Sequence, residues 1–180
     1  TGVNDFLLDG SVAYSIVTAA ATSADASYNG LNAADVSATN TDDDAAGITF
    51  TPTSGLTTTE AGGTATFTIV LNNMPTANVT IGLSSSNTGE GYVSAGSLTF
   101  TAANWNLAQT VTITGANDFV DDGDIAYAIV TAAAVSADAN FNGFNAADVS
   151  LTNIDNDTAG VTVSPISGTT TEAGGTASFT

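Results

Sequence analysis

The sequence predicts an all-β protein built from tandem antiparallel β-sandwich repeats of about 113 residues. Three observations carry this: the chain repeats itself, its apolar residues alternate with a period of two, and turn-forming residues punctuate the runs. Thr1-Gly-Val-Asn-Asp-Phe6 returns as Thr114-Gly-Ala-Asn-Asp-Phe119, 113 positions later, and positions 1–44 are identical to 114–157 at 31 of 44 places. The stretch from Ala46 to Thr68 returns as Ala159 to Thr180, with Leu56 missing from the second copy. One complete repeat is therefore expected over 45–157. It follows the C-terminal part of a preceding repeat (1–44) and leads into the N-terminal part of the next (158–180).

The strands follow from the alternation. Phe67, Ile69 and Leu71 alternate with Thr66 and Thr68, and Val79, Ile81 and Leu83 with Thr80 and Gly82. Leu98 and Phe100 flank Thr99, and Val111 and Ile113 alternate with Thr110, Thr112 and Thr114. Tyr127 with Ile129, and Val149 with Leu151, supply the last two strands. Each run presents one face to a core and one to water. Ser-Gly, Asn-Asn and Gly-Gly elements separate the runs. Seven or so short strands in about 110 residues, with no helical period, read as a sandwich of immunoglobulin-like design. Trp105 is expected to plug its core.

Composition removes whole chemistries. Lys, Arg, His and Cys are absent while Asp and Glu total 18, for a formal net charge of −18. No nucleophile–imidazole pair, Schiff base, thiolate or imidazole metal site can be built. Nothing can neutralise phosphate, so nucleic acids and ordinary nucleotides are poor partners. Anionic membrane surfaces repel the chain, and no apolar run of about 18 residues could insert in a membrane. Disulfides and lysine crosslinks are impossible. The chain opens with neither an initiator Met nor a signal peptide, so it is expected to be cut from something longer.

With no side-chain cation, a carboxylate cluster must be met by backbone amides, hydroxyls, raised pKa values or a bound metal ion. Three such clusters recur with the repeat. One is the loop Asn117-Asp118-Phe-Val-Asp121-Asp122-Gly-Asp124; another is the junction Asn153-Ile-Asp155-Asn156-Asp157, with its earlier copy Thr41-Asp42-Asp43-Asp44. The third is a lone glutamate in Thr-Glu-Ala-Gly-Gly, Glu60 in one copy and Glu172 in the next; Glu90 is the only other glutamate. In a sandwich these segments can meet at one pole. Four to six oxygens around a point suit Ca²⁺, which takes about 6–8 oxygen ligands, better than Mg²⁺ with its tight octahedron. The alternative is a set of solvated acidic turns, which Asp, Asn and Gly favour in any case.

The segments Thr59-Glu60-Ala-Gly-Gly-Thr-Ala-Thr-Phe67, Gly96-Ser-Leu-Thr-Phe100 and Asn117-Asp118 through Asp124, with the closing Asp-rich junction, resemble the Calx-β domain. That family is an immunoglobulin-like sandwich with a calcium cluster at one end, found in sodium–calcium exchangers and many bacterial surface and adhesion proteins. Asn153-Ile-Asp-Asn-Asp157 also resembles the calcium linker of cadherins. The resemblance implies ligands at Glu60, Glu90, Asp118, Asp121, Asp124, Asp155 and Asp157, with Asp122 beside them in the loop. It implies that Asp42, Asp43 and Asp44 serve the preceding copy and that Glu172 begins the following site. In the first copy Leu8 and Ser11 stand where Asp121 and Asp124 stand later, which leaves Asp5 and Asp9 and a weaker site. Asp138, Asp148 and their earlier copies Asp25 and Asp35 are expected to cap turns at least as readily as to hold metal.

These readings converge on a calcium-stiffened, extracellular structural repeat of a bacterial surface adhesin or filament. Its partners would be neighbouring repeats of the same chain, or identical chains joined by strand addition. A carbohydrate- or surface-binding β-sandwich module is the alternative, with threonine ladders such as Thr110-Val-Thr112-Ile-Thr114 as its contact face. β-Branched threonine suits a solvated strand for simpler reasons. Catalysis is not expected, because the carboxylates sit in Gly-rich turns and recur with every repeat.

Overall fold

The computed structural model describes all 180 residues, as strands and loops with no helix. Twelve strands follow one another: β1 (Val12–Ile16), β2 (Val36–Asn40), β3 (Ile48–Thr51), β4 (Leu56–Thr59), β5 (Thr64–Leu71), β6 (Val79–Ser85), β7 (Gly91–Val93), β8 (Ser97–Phe100), β9 (Gln109–Gly115), β10 (Ile125–Thr131), β11 (Val135–Ser136) and β12 (Val149–Ile154). β3 to β12 build a two-sheet sandwich. One sheet runs β3-β5-β9-β7; in the other, β6 pairs β8 on one edge and β10 with β11 on the other, and β10 leads to β12 and β4.

All pairings are antiparallel except one. β4 runs parallel to β12, with Leu56 opposite Leu151 and Thr59 opposite Ile154, whereas β3 lies antiparallel to β5 in the facing sheet. The chain changes sheets between β3 and β4, at Pro52 to Gly55. Proline cannot continue the ladder as a donor, and Gly55 takes the turn at φ 74°. β11 continues β10 along the same edge of β6. Thr131 lies opposite Leu83 and Val135 opposite Thr80, so three residues face two and the strand bulges at Ala132–Ala134.

Period-two burial is what makes these runs strands. Phe67, Ile69 and Leu71 of β5, Val111 and Ile113 of β9, Val79, Ile81 and Leu83 of β6, and Ile129 of β10 point inward and are all but inaccessible. Phe100, Phe141, Val149 and Leu151 complete the packing, and Phe50 stacks near Phe67 with centroids 6.4 Å apart. Trp105 packs at the margin of this core, half-buried, instead of plugging its middle.

The first flanking segment reproduces the same local structure without the same burial, whereas 158–180 forms no strand and keeps only isolated pairing. β1 pairs β2 with Val12 opposite Asn40 and Ile16 opposite Val36, the register of Ile125–Asn153 and Ile129–Val149 moved by 113 positions. Tyr14, Ile16 and Val36 are 43%, 53% and 58% exposed, against 6%, 0% and 0% for Tyr127, Ile129 and Val149. Near the other end, Ser164 N donates to Thr180 O (2.7 Å), the contact that Thr51 and Thr68 make in register between β3 and β5. Local pairing therefore survives where no second sheet covers the apolar face.

Candidate metal centre

The sandwich has two poles. The ends of β4, β6, β9 and β12 and the starts of β5 and β10 gather at one pole; the β5–β6, β8–β9 and β11–β12 connections gather at the other. The first is the acidic pole. Glu60 follows β4 directly and is anchored by its amide, which donates to Ile154 O (3.1 Å). Glu90 precedes β7. The loop 116–124 links β9 to β10, and Asp155–Asp157 continue β12.

Two groups of three carboxylates form there, Glu60 with Asp118 and Asp157, and Glu90 with Asp118 and Asp122; within each group the ligand atoms lie within 4.8 Å of one another. Asp118 belongs to both. Glu60 and Glu90 are only 4% and 6% exposed, while Asp118 and Asp122 face solvent. Asp157 Oδ2 is buried and has no hydrogen-bond partner. Five carboxylates thus converge where the chain can offer no cation of its own.

The remaining acids hold the scaffold in place. Asp155 accepts from the Asp157 amide (2.7 Å) and the Gly123 amide (2.7 Å), and those bonds hold its pKa below the ordinary aspartate value. Asp124 accepts from Asp155 N (3.1 Å), Asp121 from Ala159 N (2.7 Å), and Asp118 Oδ1 from Val120 N (2.9 Å). Asp121, Asp124 and Asp155 are in neither three-carboxylate group. For Glu60 the Asn156 amide (3.2 Å) favours the charged form, but burial and the charges of Asp155 and Asp118 outweigh it and raise the pKa.

Behind the carboxylates runs a buried hydrogen-bond chain that the sequence reading did not anticipate. Tyr127 O–H donates to Thr58 Oγ1 (2.9 Å), and the Thr58 hydroxyl donates to Asn153 Oδ1 (2.9 Å). Asn153 Nδ2 then donates to Glu90 Oε2 (3.3 Å) and Ala116 O (3.0 Å). The only signal for it was an asparagine in phase with Val149 and Leu151, on the inward face of β12. Two glycines make room for it. A Cβ on Gly91 would strike the Tyr127 hydroxyl, and one on Gly115 would strike Thr59 O and Asn153 Oδ1.

The first copy of the pole keeps this scaffold. Gly10 N donates to Asp42 (2.7 Å), Asp44 N to Asp42 (2.9 Å) and Leu7 N to Asp5 (3.0 Å), matching the bonds of Gly123, Asp157 and Val120. Ser11 Oγ takes the amide of Asp42 (3.3 Å), the role of Asp124 in the later copy. The amides of Asp44 and Gly10 lower the pKa of Asp42; burial and then the charges of Asp42, Asp43, Asp5 and Asp9 raise that of Asp44. Asp5, Asp9 and Asp42–Asp44 line an open cavity of about 380 Å³ in place of a closed cluster. Glu172 lies exposed on the last segment, outside both carboxylate groups.

Asp138 and Asp148 are turn and loop anchors at the opposite pole. Asp138, 5% exposed, accepts from Thr76 N (2.8 Å) and Asn140 N (2.9 Å) and so ties the β11–β12 connection to the β5–β6 turn. Burial opposes its ionisation, but these amides prevail and its pKa is lowered. Asp148 accepts from Thr131 N (2.9 Å). Asp25 and Asp35 cap Ser27 N and Thr18 N in the same way.

No family model and no curated protein matches the chain. Among solved structures it is similar to an apo-form Calx CBD1 domain, at 15% identity and TM-score 0.45, over 61% of this chain and 96% of that one. It is similar to the periplasmic chaperone SfaE at 12% identity and TM-score 0.45, over 63% of this chain and 59% of the chaperone. The surface layer protein SbsC, domains 1–6, matches at 20% identity and TM-score 0.36, over 75% of this chain and 16% of that one. These likenesses concern the β-sandwich alone.

Proposed function

We propose that the chain is a stretch of a tandem β-sandwich array whose junctions are closed by calcium, serving as a stiff structural element of an extracellular fibre or surface adhesin. The repeat division is 1–44, 45–157 and 158–180, with neighbouring repeats of the same chain as the first partners. One observation carries the reading: buried Glu60 and Glu90 and the unpartnered Asp157 Oδ2 converge with Asp118 and Asp122 in a chain that has no Lys, Arg or His. Unpaired buried carboxylates are costly. A hard divalent cation accepts such all-oxygen surroundings, and about 6–8 ligands suit Ca²⁺.

Glu60, Asp118 and Asp157 would hold one ion and Glu90, Asp118 and Asp122 a second, with Asp118 bridging. Such an ion supplies the positive charge that the chain lacks. Asp157 follows β12 at the very end of the repeat and Glu60 follows β4 within the same repeat, so neutralising them together fixes the departing chain against the pole. Binding that requires the folded pole also stabilises it by mass action. Affinities in the ~10⁻⁴–10⁻³ M range suffice outside a cell. The test is isothermal calcium titration of the full chain alongside Asp118→Asn, which keeps the Oδ1 that caps Val120 and removes the shared charge. Saturable binding that Asp118→Asn abolishes supports the reading. Absence of binding at millimolar calcium overturns it.

A further inference from the structure

We propose that the phenylalanine in the acidic loop of each copy is a knob that seats in a tryptophan socket at the opposite pole of the next copy, so that Phe119 is this chain's docking residue for a further repeat. The proposal rests on the repeat division above and is independent of calcium.

One such contact is already made within the chain. The Phe6 ring lies against Trp105, centroids 5.8 Å apart and planes at 44°. Met74 N donates to Phe6 O (2.9 Å) and Asn140 Nδ2 to Leu8 O (3.3 Å). The loop of the earlier copy therefore touches the β5–β6 turn, the β8–β9 loop and the β11–β12 connection, all at the pole remote from Glu60 and Glu90. An acidic pole faces a socket pole, head to tail.

Phe119 is Phe6 one repeat later, and its backbone is set the same way. The two have φ 67° and 62°, a left-handed conformation that bulky side chains rarely adopt and that needs support from its surroundings. Asp118 Oδ1 and Asp5 Oδ1 supply that support through the amides two residues on, Val120 N and Leu7 N (2.9 and 3.0 Å). The result is an aromatic ring thrust out of an acidic loop. Phe119 is 82% exposed, whereas Phe6, on its socket, is 50% exposed. An apolar contact suits this joint, because every repeat is anionic and apposed poles repel, while burial of a ring does not depend on charge.

The chain contains one tryptophan, so its fluorescence reports the socket directly. Phe6→Ala is expected to move Trp105 emission to longer wavelength and to raise its quenching by acrylamide. Phe119→Ala should change neither in this chain, and both variants should keep the urea midpoint of the sandwich. The second arm lengthens the chain at its C-terminus by another copy of residues 69–157, completing the copy that begins at Ala159, in a Trp105→Phe background so that only the added tryptophan emits. There Phe119→Ala should reproduce the red shift, with and without chelator. If Phe6→Ala leaves Trp105 emission unchanged, or Phe119→Ala leaves the added tryptophan unchanged, the proposal is overturned. A red shift that persists in chelator while no calcium binds would sustain the knob and remove the calcium reading alone.

Discussion

Thr58→Val tests the buried hydrogen-bond chain behind the carboxylates. The substitution keeps the shape of a fully buried side chain and removes the hydroxyl that links Tyr127 to Asn153. Tyr127 O–H loses its acceptor and Asn153 Oδ1 its donor. Little room remains for water, since an added Cβ on Gly115 would already lie 2.6 Å from that Oδ1. Each orphaned buried group costs about 1–3 kcal/mol, and the new methyl returns roughly 0.8 kcal/mol. With both groups orphaned the net loss should be about 1–5 kcal/mol, a fall in Tm of roughly 5–20 °C at about 4 °C per kcal/mol for a domain of this size. Urea unfolding followed by Trp105 emission measures it. Tyr127→Phe alone removes one bond while Thr58 still serves Asn153, for a loss near 1 kcal/mol. The double variant should therefore lose about 1 kcal/mol less than the sum of the singles. A Thr58→Val variant within about 0.5 kcal/mol of the parent, or strict additivity, would refute the argument that these groups form one chain.

Ile129→Ala should cost about 2–5 kcal/mol because it empties a closed core, whereas Ile16→Ala, the same residue 113 positions earlier and 53% exposed, should leave the urea midpoint nearly unchanged. The pH dependence carries opposite signs at the two kinds of carboxylate. Glu60, with its pKa raised, stabilises below its unfolded value and loses that contribution as pH rises through its folded value. Asp155 and Asp138, with theirs lowered, stabilise above their unfolded values and lose that contribution as pH falls. In chelator the Tm should therefore peak at about pH 4–5, and calcium should abolish the decline toward pH 7; a Tm that rises steadily to pH 7 in chelator refutes the sign for Glu60. Asp138→Ala should cost roughly 1.5–3 kcal/mol through its two lost amide bonds without altering calcium binding, which a titration alongside Asp118→Asn checks.

The alternation Phe67-Ile69-Leu71 against threonine, and the return of Thr1–Phe6 as Thr114–Phe119, were enough to read strands and a repeated sandwich, because both are local or self-referential patterns. Absence of every side-chain cation was likewise plain in composition, and with it the demand that the acidic turns find other partners. Sequence could not say which acids meet. Asp118, Asp121, Asp122, Asp124 and Asp155 look alike in a line of text, yet Asp118 and Asp122 converge with Glu60, Glu90 and Asp157 while the other three spend their oxygens on backbone amides. That division is set by the turn geometry of one loop against another, a long-range matter. Thr58, Tyr127 and Asn153 were equally hidden, since they join only when β12 pairs with β10 on one edge and with β4, parallel, on the other. Most tellingly, Tyr14 and Tyr127 sit in similar strands (Val-Ala-Tyr-Ser-Ile and Ile-Ala-Tyr-Ala-Ile) and the same hairpin register, and one is exposed while the other is buried. Backbone pairing is a property of adjacent strands, which their own residues dictate; burial requires a second sheet, and only the tertiary structure shows where one is present.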